Sequence, residues 1–399
     1  MAPSLPGPVR AAGRLSLLAG AASAAVTGAV LSASSLLPPP SWSVWQYALL
    51  AAEFGLLVAV LAGTGLLLSL LARRRRCRSR AVATAAALAN AAVLAGALLP
   101  ASSAWKDARA SGTELSLRGY FAGLATGADR EPTTVRYARL GGTDLELDVW
   151  QPARRHDRRP LPVVVNVHGG AEDLPQSLLP RWDAWLADLG YVVFDVDYRI
   201  APPGGWRVPA ADLKCALGWI AAHATEYGAD PDRIAVMGQS AGGLATLLAA
   251  YTGPGPIAPS CPAGTVPVRA VAAWYSITDM TAPEVPWRQR HSPIGDELAE
   301  ATRTMMGGTS QERPGEYRAA SPISHVRPGL PPTLLIQGGR DLFVPVQDNR
   351  RFAARLARAG VPHRLVGIGY ADHMFDLNWG GFASQLTRQE IARFLRERL

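Results

Sequence analysis

Three residue types at three separated positions carry the chemistry this chain can do. Gly238-Gln239-Ser240-Ala241-Gly242-Gly243 places a serine between glycines, after the short apolar run Arg233–Met237 and before the breaker-free stretch Leu244–Ala250. A strand, a tight turn and a helix are expected there, hinged on Ser240. In a G-x-S-x-G elbow the strained turn exposes the hydroxyl as a nucleophile, and the next amide, here that of Ala241, faces the place where an acyl oxygen becomes an oxyanion. A bare G-x-S-x-G also arises by chance as a glycine-rich turn, so the reading depends on partners.

A serine nucleophile needs a base, an acid to orient the base, and donors for the oxyanion. His373, in Asp372-His373-Met374, follows the last apolar run and precedes the terminal helical stretch, where a base can swing over the elbow. Asp341, in Gly339-Arg340-Asp341, follows the run Thr333–Ile336 and stands 32 residues before His373. The order Ser240, Asp341, His373 is the one a strand–turn–helix elbow of this kind uses. Asp279 is the competing acid, and an aspartate after a strand is often only a turn former. His168-Gly169-Gly170 follows another apolar run. Its glycines let backbone N–H groups turn inward as an oxyanion hole, while His168 more plainly fixes the loop by hydrogen bonding. His156, His223, His291, His325 and His363 fall in loops or on helices and are read as structural.

The elements that position these residues alternate. Thr134–Leu140 and Asp144–Trp150, separated by Gly141-Gly142, read as a hairpin. Val163–Val167, Val192–Val196, Arg233–Met237, Val268–Trp274, Thr333–Ile336 and Arg364–Ile368 are short and rich in Val, Ile and Leu, as buried parallel strands are. Between them lie helical stretches at Pro180–Leu189, Pro209–Tyr227, Ala241–Tyr251, Val346–Ala359 and Phe382–Arg398. The expected fold is α/β, a mainly parallel sheet with helices on both faces and its working loops at the strands' C-terminal ends.

In 399 residues, 48% hydrophobic and 18% charged, the charge is unevenly spread. Up to Pro100 there are eight arginines and one acid, Glu53, so nearly all of the formal net charge of +8 sits in the first hundred residues. That distribution argues against a nucleic-acid partner for the rest of the chain. Three apolar runs, 15–37, 44–71 and 81–99, are each long enough to span a bilayer. Trp42, Trp45 and Tyr47 open the second as an interfacial belt, and the arginine cluster Arg73–Arg80, which includes Cys77, closes it. For the first run, a signal peptide followed by two spans is the competing reading. The third is the least hydrophobic, and if it does not span, the main domain changes sides. By the positive-inside rule the N-terminus and the arginine loop are cytoplasmic, which puts everything after residue 100 outside the cytoplasm. Glu53 is read as a buried acid of an anchor and not as part of a transport pathway. The expected organisation is an all-α transmembrane anchor over 1–100, a juxtamembrane linker over 101–131 with a short amphipathic helix at Thr113–Ala125, and a globular domain over 132–399. Within it, 277–328, with Trp287, Met305 and Met306, is an insertion that either covers a pocket or packs its own apolar residues.

With these residues assembled, the chain from about 132 to 399 resembles the hormone-sensitive-lipase-like carboxylesterases of the α/β-hydrolase superfamily. The resemblance rests on His168-Gly169-Gly170, Asp197-Tyr198-Arg199-Ile200-Ala201-Pro202, Asp230-Pro231-Asp232-Arg233-Ile234, the Gly238–Gly243 elbow, Gly339-Arg340-Asp341 and Asp372-His373. It implies Ser240 as nucleophile, His373 as base, Asp341 as its orienting partner, and the Gly169, Gly170 and Ala241 amides as oxyanion donors. Ala171 departs from the pattern, since many relatives carry a third glycine there. The anchored layout is similar to that of actinobacterial lipase/esterase-like proteins. In this fold the helices flanking the Arg233 strand are neighbours, so Cys215 and Cys261 are expected to form a disulfide in an exported domain, the alternative being two buried thiols. The implied activity is hydrolysis of a small-molecule or lipid ester through an acyl-enzyme. Acyl transfer to an envelope lipid or sugar, and a catalytically silent binding protein, are the alternatives. No metal cluster or nucleotide motif is present, so no cofactor is expected. The natural ester and the oligomeric state stay open.

Overall fold

The computed structural model describes residues 7–37, 39–74, 80–154, 159–170, 174–253, 255–281 and 293–399. Cys77, Ala171, His156, Trp287 and His291, singled out above, lie outside the described residues. The chain divides into two compact units, Met1–Lys106 and Asp107–Leu399.

The first unit is helical. Helix α1 spans Gly7–Leu36, α2 Trp42–Glu53 and α3 Gly55–Arg74, while α4 runs from Arg80 through Pro100 to Ala110. Three of the four are long and apolar enough to cross a membrane, at Leu15–Ala33, Gly55–Arg74 and Arg80–Ala110. The second apolar run, expected as one span, is instead two helices. The chain leaves helical geometry at Phe54, with φ −102° and ψ 26°. Gly55 follows with its backbone so near the Ala97 carbonyl that a Cβ would sit 2.8 Å from it, so this break gives the close approach of α3 to α4. Ser41 caps α2, its hydroxyl accepting from the Val44 amide. The third run is a longer helix than expected, since it carries on past residue 99 into the linker. The buried Asn90 side chain donates to the Ala21 and Ala86 carbonyls at 3.0 and 2.9 Å, tying α4 to α1, and Glu53 is also buried.

The second unit is built on one eight-stranded sheet in the order β1-β2-β4-β3-β5-β6-β7-β8. These are Thr133–Leu140, Thr143–Trp150, Leu161–Val167, Val192–Val196, Ala229–Gln239, Ala270–Trp274, Thr333–Gly338 and His363–Ile368, numbered in chain order. The first two are the expected hairpin. Its two-residue turn, Gly141-Gly142, has φ of +60° and +90°, which a type I′ connection requires and glycine supplies without strain. β1–β2 and β2–β4 pair antiparallel, and every later pairing is parallel.

The central strands are apolar on both faces because helices cover both. Val163, Val165, Phe194, Ile234 and Val236 pack with Leu213, Ala216 and Ile220 of α6 (Val208–His223). Val271, Ala273 and Leu335 join Leu247 and Tyr251 of α7 (Ser240–Tyr251) with Phe352 and Leu356 of α10 (Val346–Arg358). Helix α5 is Pro180–Asp188, and the terminal helix α11 is Phe382–Arg398. Cys215 of α6 and Cys261 of the loop after α7 are disulfide-bonded, with Cα atoms 5.4 Å apart. In the insertion, α8 (Pro293–Met306) and α9 (Pro314–Ala319) pack Met306 and Tyr317 against Trp206, Leu248 and Ile257, so the described part of 277–328 buries its own apolar residues on the domain.

The linker departs most from expectation. Thr113–Ala125 holds no α-helix, only a 3-10 turn at Gly119–Phe121. Its backbone partners lie elsewhere in the chain. Ser116 N–H donates to the Gln385 side chain at 2.7 Å, and Ala125 N–H to the Leu377 carbonyl at 3.0 Å. Gly380 N–H donates to the Gly123 carbonyl at 3.3 Å, and Leu124 bridges Asn378. A backbone committed to these contacts cannot also close i→i−4 bonds, and Gly112 and Gly123, at φ +65° and +89°, bend it into a strap over α11.

Candidate active site

Strand β5 ends at Gln239 and α7 begins at Ser240, which has φ +54° although it carries a side chain. A non-glycine residue in that region is strained, and such strain persists only where the surroundings hold it. The glycines supply the hold. A Cβ on Gly242 would lie 2.2 Å from the His168 carbonyl oxygen, and one on Gly238 would lie 2.7 Å from that of Gly242. The turn is therefore pressed between its own helix and the loop after β3, with the Ser240 hydroxyl displayed at the C-terminal edge of the sheet.

His373 Nε2 lies 2.9 Å from Ser240 Oγ, and His373 Nδ1 lies 3.0 and 3.2 Å from the two Asp341 carboxylate oxygens. The structure brings these three residues into one hydrogen-bonded line, with His373 and Asp341 both buried. Asp341 is held in turn. Its Oδ1 accepts from the Phe343 and Val344 amides at 2.9 and 2.8 Å, and its Oδ2 from the Gln337 side chain at 2.9 Å. Gln337 is fixed by Asn349, whose amide donates to Gln337 Oε1 at 2.8 Å. The turns after β7 and β8 are laced together. A Cβ on Gly339 would meet the Gly369 carbonyl at 2.4 Å, Arg340 N–H donates to the Ala371 carbonyl, and Leu342 N–H donates to Asp372. Burial, with the Asp341 charge nearby, pushes the Asp372 carboxyl up to about 6.

Aromatic rings form the walls around the imidazole. The Phe343 ring is edge-on at 4.8 Å and the Tyr275 ring is tilted at 4.5 Å. Tyr275 has φ +37°, and its hydroxyl donates to Asp376 at 2.6 Å, where the Trp274 indole also donates at 2.8 Å. Burial raises both the Tyr275 phenol and the Asp376 carboxyl. These two donors fix the loop that carries His373 from behind.

The loop after β3 passes directly beside the serine, since a Cβ on Gly169 would lie 3.0 Å from Ser240 Cβ. Gly170 has φ +129°, which only glycine adopts freely. His168 is held within its own loop and against Tyr198. Its Nδ1 lies 2.9 Å from the Gly169 carbonyl, its ring stacks on Tyr198 at 4.8 Å, and the Tyr198 hydroxyl donates to the His168 carbonyl at 2.8 Å. Ala241 occupies the first turn of α7, where amides have no intrahelical acceptor. Asp279 stands apart from this line. It accepts from the Thr281 amide and hydroxyl, as a turn former does. His223, His325 and His363 each place a ring nitrogen on a nearby backbone carbonyl.

Gln337, Asn349, Tyr275 and Asp376 were not found by reading the sequence. A glutamine closing an otherwise apolar strand, Thr333–Gly338, is the one signal that could have pointed to the first.

Comparison with known proteins gives the family. The BD-FAE family profile matches residues 147–356, more than half of the chain. The chain belongs to the BD-FAE family. It is a hormone-sensitive-lipase-like α/β-hydrolase. The matched range spans the positions of Ser240 and Asp341 and ends before His373. Among curated relatives, esterase LipQ of Mycobacterium tuberculosis is 30% identical over 267 residues, 64% of this chain and 60% of that protein. Esterase LipC of the same organism is 34% identical, over 63% of this chain and 62% of that protein. The chain thus spans about 60% of the length of these relatives. Among solved structures, the butyrate-bound Est2 esterase of Thermogutta terrifontis superposes with a TM-score of 0.53 at 25% identity, covering 67% of this chain and 94% of that one.

Proposed function

We propose that this BD-FAE member is a membrane-anchored serine carboxylesterase. The observation that carries the reading is the unbroken line from Ser240 Oγ through His373 to the Asp341 carboxylate, at 2.9 and 3.0 Å. Ser240 Oγ attacks the ester carbonyl carbon while His373 Nε2 takes its proton. Asp341 orients the ring through Nδ1 and stabilises the imidazolium that forms. Charge that develops on the carbonyl oxygen is met by the Gly169, Gly170 and Ala241 amides. The tetrahedral intermediate collapses, His373 returns the proton to the departing alcohol, and an acyl-serine remains. Water then attacks that acyl carbon with His373 as base, releasing the carboxylic acid and restoring Ser240. The esterase names of LipQ, LipC and the Thermogutta enzyme support the substrate class.

The anchor is the three long apolar helices, and the catalytic unit lies outside the cytoplasm. Arginines before the first span and between the second and third support that orientation, as does the Cys215–Cys261 disulfide, which suits an oxidising compartment.

The test is turnover of a p-nitrophenyl ester series, acetyl to palmitoyl, by the full chain and its Ser240→Ala variant, with fluorophosphonate labelling of each. The expected result is hydrolysis and labelling by the wild type only. Labelling without turnover of any ester would move the activity to another acyl acceptor, and no labelling would remove the serine mechanism.

A further inference from the structure

We propose that the strap between the last apolar helix and the sheet is a membrane-docking surface, bedding Leu117, Phe121 and Leu124 into the interfacial layer of an anionic bilayer. The inference rests on the membrane-anchored reading above and adds a second contact with lipid, outside the spans.

Among the described residues from 107 onward, five large apolar side chains are exposed, and three of them, Leu117 at 58%, Phe121 at 60% and Leu124 at 43%, fall within eight residues of one another. Scattered single apolar residues on a surface need no explanation, but a ridge of three does. These side chains cannot turn inward, because the strap's inner side is already committed. Tyr120 is buried, its ring 5.0 Å from that of Phe382. The Arg181 guanidinium donates to the Ala122 and Leu124 carbonyls at 2.7 and 3.2 Å. Gln385 both accepts from Ser116 N–H and donates to the Ser116 carbonyl. With the backbone fixed by these partners, the outer ridge is a built feature.

What covers the ridge follows from chain connectivity and charge. Helix α4 runs unbroken to Ala110, and a hydrocarbon core uses only about 20 of its residues. Gly112, at φ +65°, then turns the chain off the helix axis. Seven peptide steps separate Ala110 from Leu117 and reach at most about 25 Å, so the ridge is tethered within reach of the bilayer surface. Lys106, Arg109 and Arg118 are exposed along this stretch of chain, in which Asp107 and Glu114 are the acids up to residue 125. Apolar side chains flanked by cations are the pattern that an interfacial segment presents to anionic lipid. Because the strap is stitched to Leu377, Asn378 and Gly380, in the loop that follows His373, a bedded strap would hold the working edge of the sheet next to the bilayer in which a lipid ester is dissolved.

The experiment uses the full chain with Cys77→Ser, labelled with the fluorophore NBD at single cysteines and set in nanodiscs of phosphatidylcholine with phosphatidylglycerol. The sites are Leu117→Cys, Phe121→Cys and Leu124→Cys, with Val60→Cys as the span control and Ile200→Cys as the water-facing control. Lipids spin-labelled near the headgroup are expected to quench the three strap sites roughly twofold or more, those labelled deep in the acyl chain to quench Val60, and neither to quench Ile200. Strap sites that behave like Ile200 while Val60 is quenched would overturn the proposal and leave the anchor standing. An unquenched Val60 would remove the anchor reading and the proposal with it. Blue-shifted emission at the strap sites without quenching by lipid would mean that protein, such as a second copy, covers the ridge, and would also overturn it.

Discussion

Two groups of buried aspartates stand at the C-terminal half of the same sheet and are handled in opposite ways. Asp341, after β7, meets three donors besides the imidazole, namely two backbone amides and Gln337. Asp183 of α5 and Asp195 of β4 are as deeply buried, but they share the Asn166 amide, at 2.7 and 3.2 Å, and each leaves its other carboxyl oxygen without a hydrogen-bond partner among the described residues. Asp148, opposite Asp195 across the β2–β4 ladder, brings a third carboxyl close. Burial lifts the Asp195 carboxyl to about 7, and burial with the neighbouring Asp195 raises Asp183 well above the carboxylate range. The difference lies in the partners, since two carboxyls with too few donors must hold a proton between them. The first arrangement keeps an acceptor aimed at a histidine. The second is a carboxyl pair bridged by one amide, which ties β3, α5 and β4 together through Asn166.

The sharpest way to break the comparison is to make the same change on both sides. Asp341→Asn is expected to cost about 10⁴-fold in kcat, because an amide facing His373 Nδ1 stabilises the wrong tautomer. Asp183→Asn should stay within a few-fold of wild type, since an amide can donate to Asp195 much as a protonated carboxyl does. Ester turnover by the two purified full-length variants decides it, and comparable losses in both would erase the distinction. A smaller effect probes the donors. Gln337→Met removes one hydrogen bond to Asp341 and leaves Asn349 only the Ser276 carbonyl as acceptor, so kcat should fall by about tenfold while KM holds. A change in KM with constant kcat would show that Gln337 shapes the pocket and does not position Asp341.

How far the sequence revealed these two groups follows from the kind of signal each leaves. Ser240, Asp341 and His373 were legible because each follows a strand and because glycines at 169, 238, 242 and 339 mark places where backbone meets backbone, at separations no Cβ survives. The sheet was legible for a related reason, as its central strands are unbroken apolar runs. The strap was misread as a helix because its partners, Gln385, Leu377 and Gly380, lie more than 250 residues away, and a local pattern carries no trace of them. The break at Phe54 was hidden in the same way, since only the proximity of Ala97 gives Gly55 its meaning. Asp183 and Asp195 left no signal, because an aspartate inside an apolar strand or helix looks like an interruption until its neighbour across the sheet is known.

The proton held between Asp183 and Asp195 gives the subtlest test of the comparison. A carboxyl whose folded-state pKa is raised binds its proton more tightly folded than unfolded, so its contribution to stability is full below pH 4, the usual carboxyl range, and is lost as pH rises through the folded value. With Asp195 at about 7 and Asp372 at about 6, stability from these groups falls between about pH 4 and pH 7. Asp230 and Glu316, held low by hydrogen bonds from Arg233 and Arg207, act with the opposite sign and lose their contribution as pH drops below about 4. Between pH 5 and 8 the raised carboxyls therefore dominate. The apparent Tm of the full chain, scanned at a fixed rate, should be higher at pH 5 than at pH 8, by about 2–4 °C for each kcal/mol of linkage. Asp195→Asn replaces one titrating group with a neutral one and should flatten part of that slope, the raised Asp183 carboxyl keeping the rest, while Asp372→Asn should remove only its lower-pH part. An Asp195→Asn protein whose Tm still falls as steeply from pH 5 to pH 8 would mean that the pair is ionised in the folded chain, and the contrast with Asp341 would then rest on geometry alone.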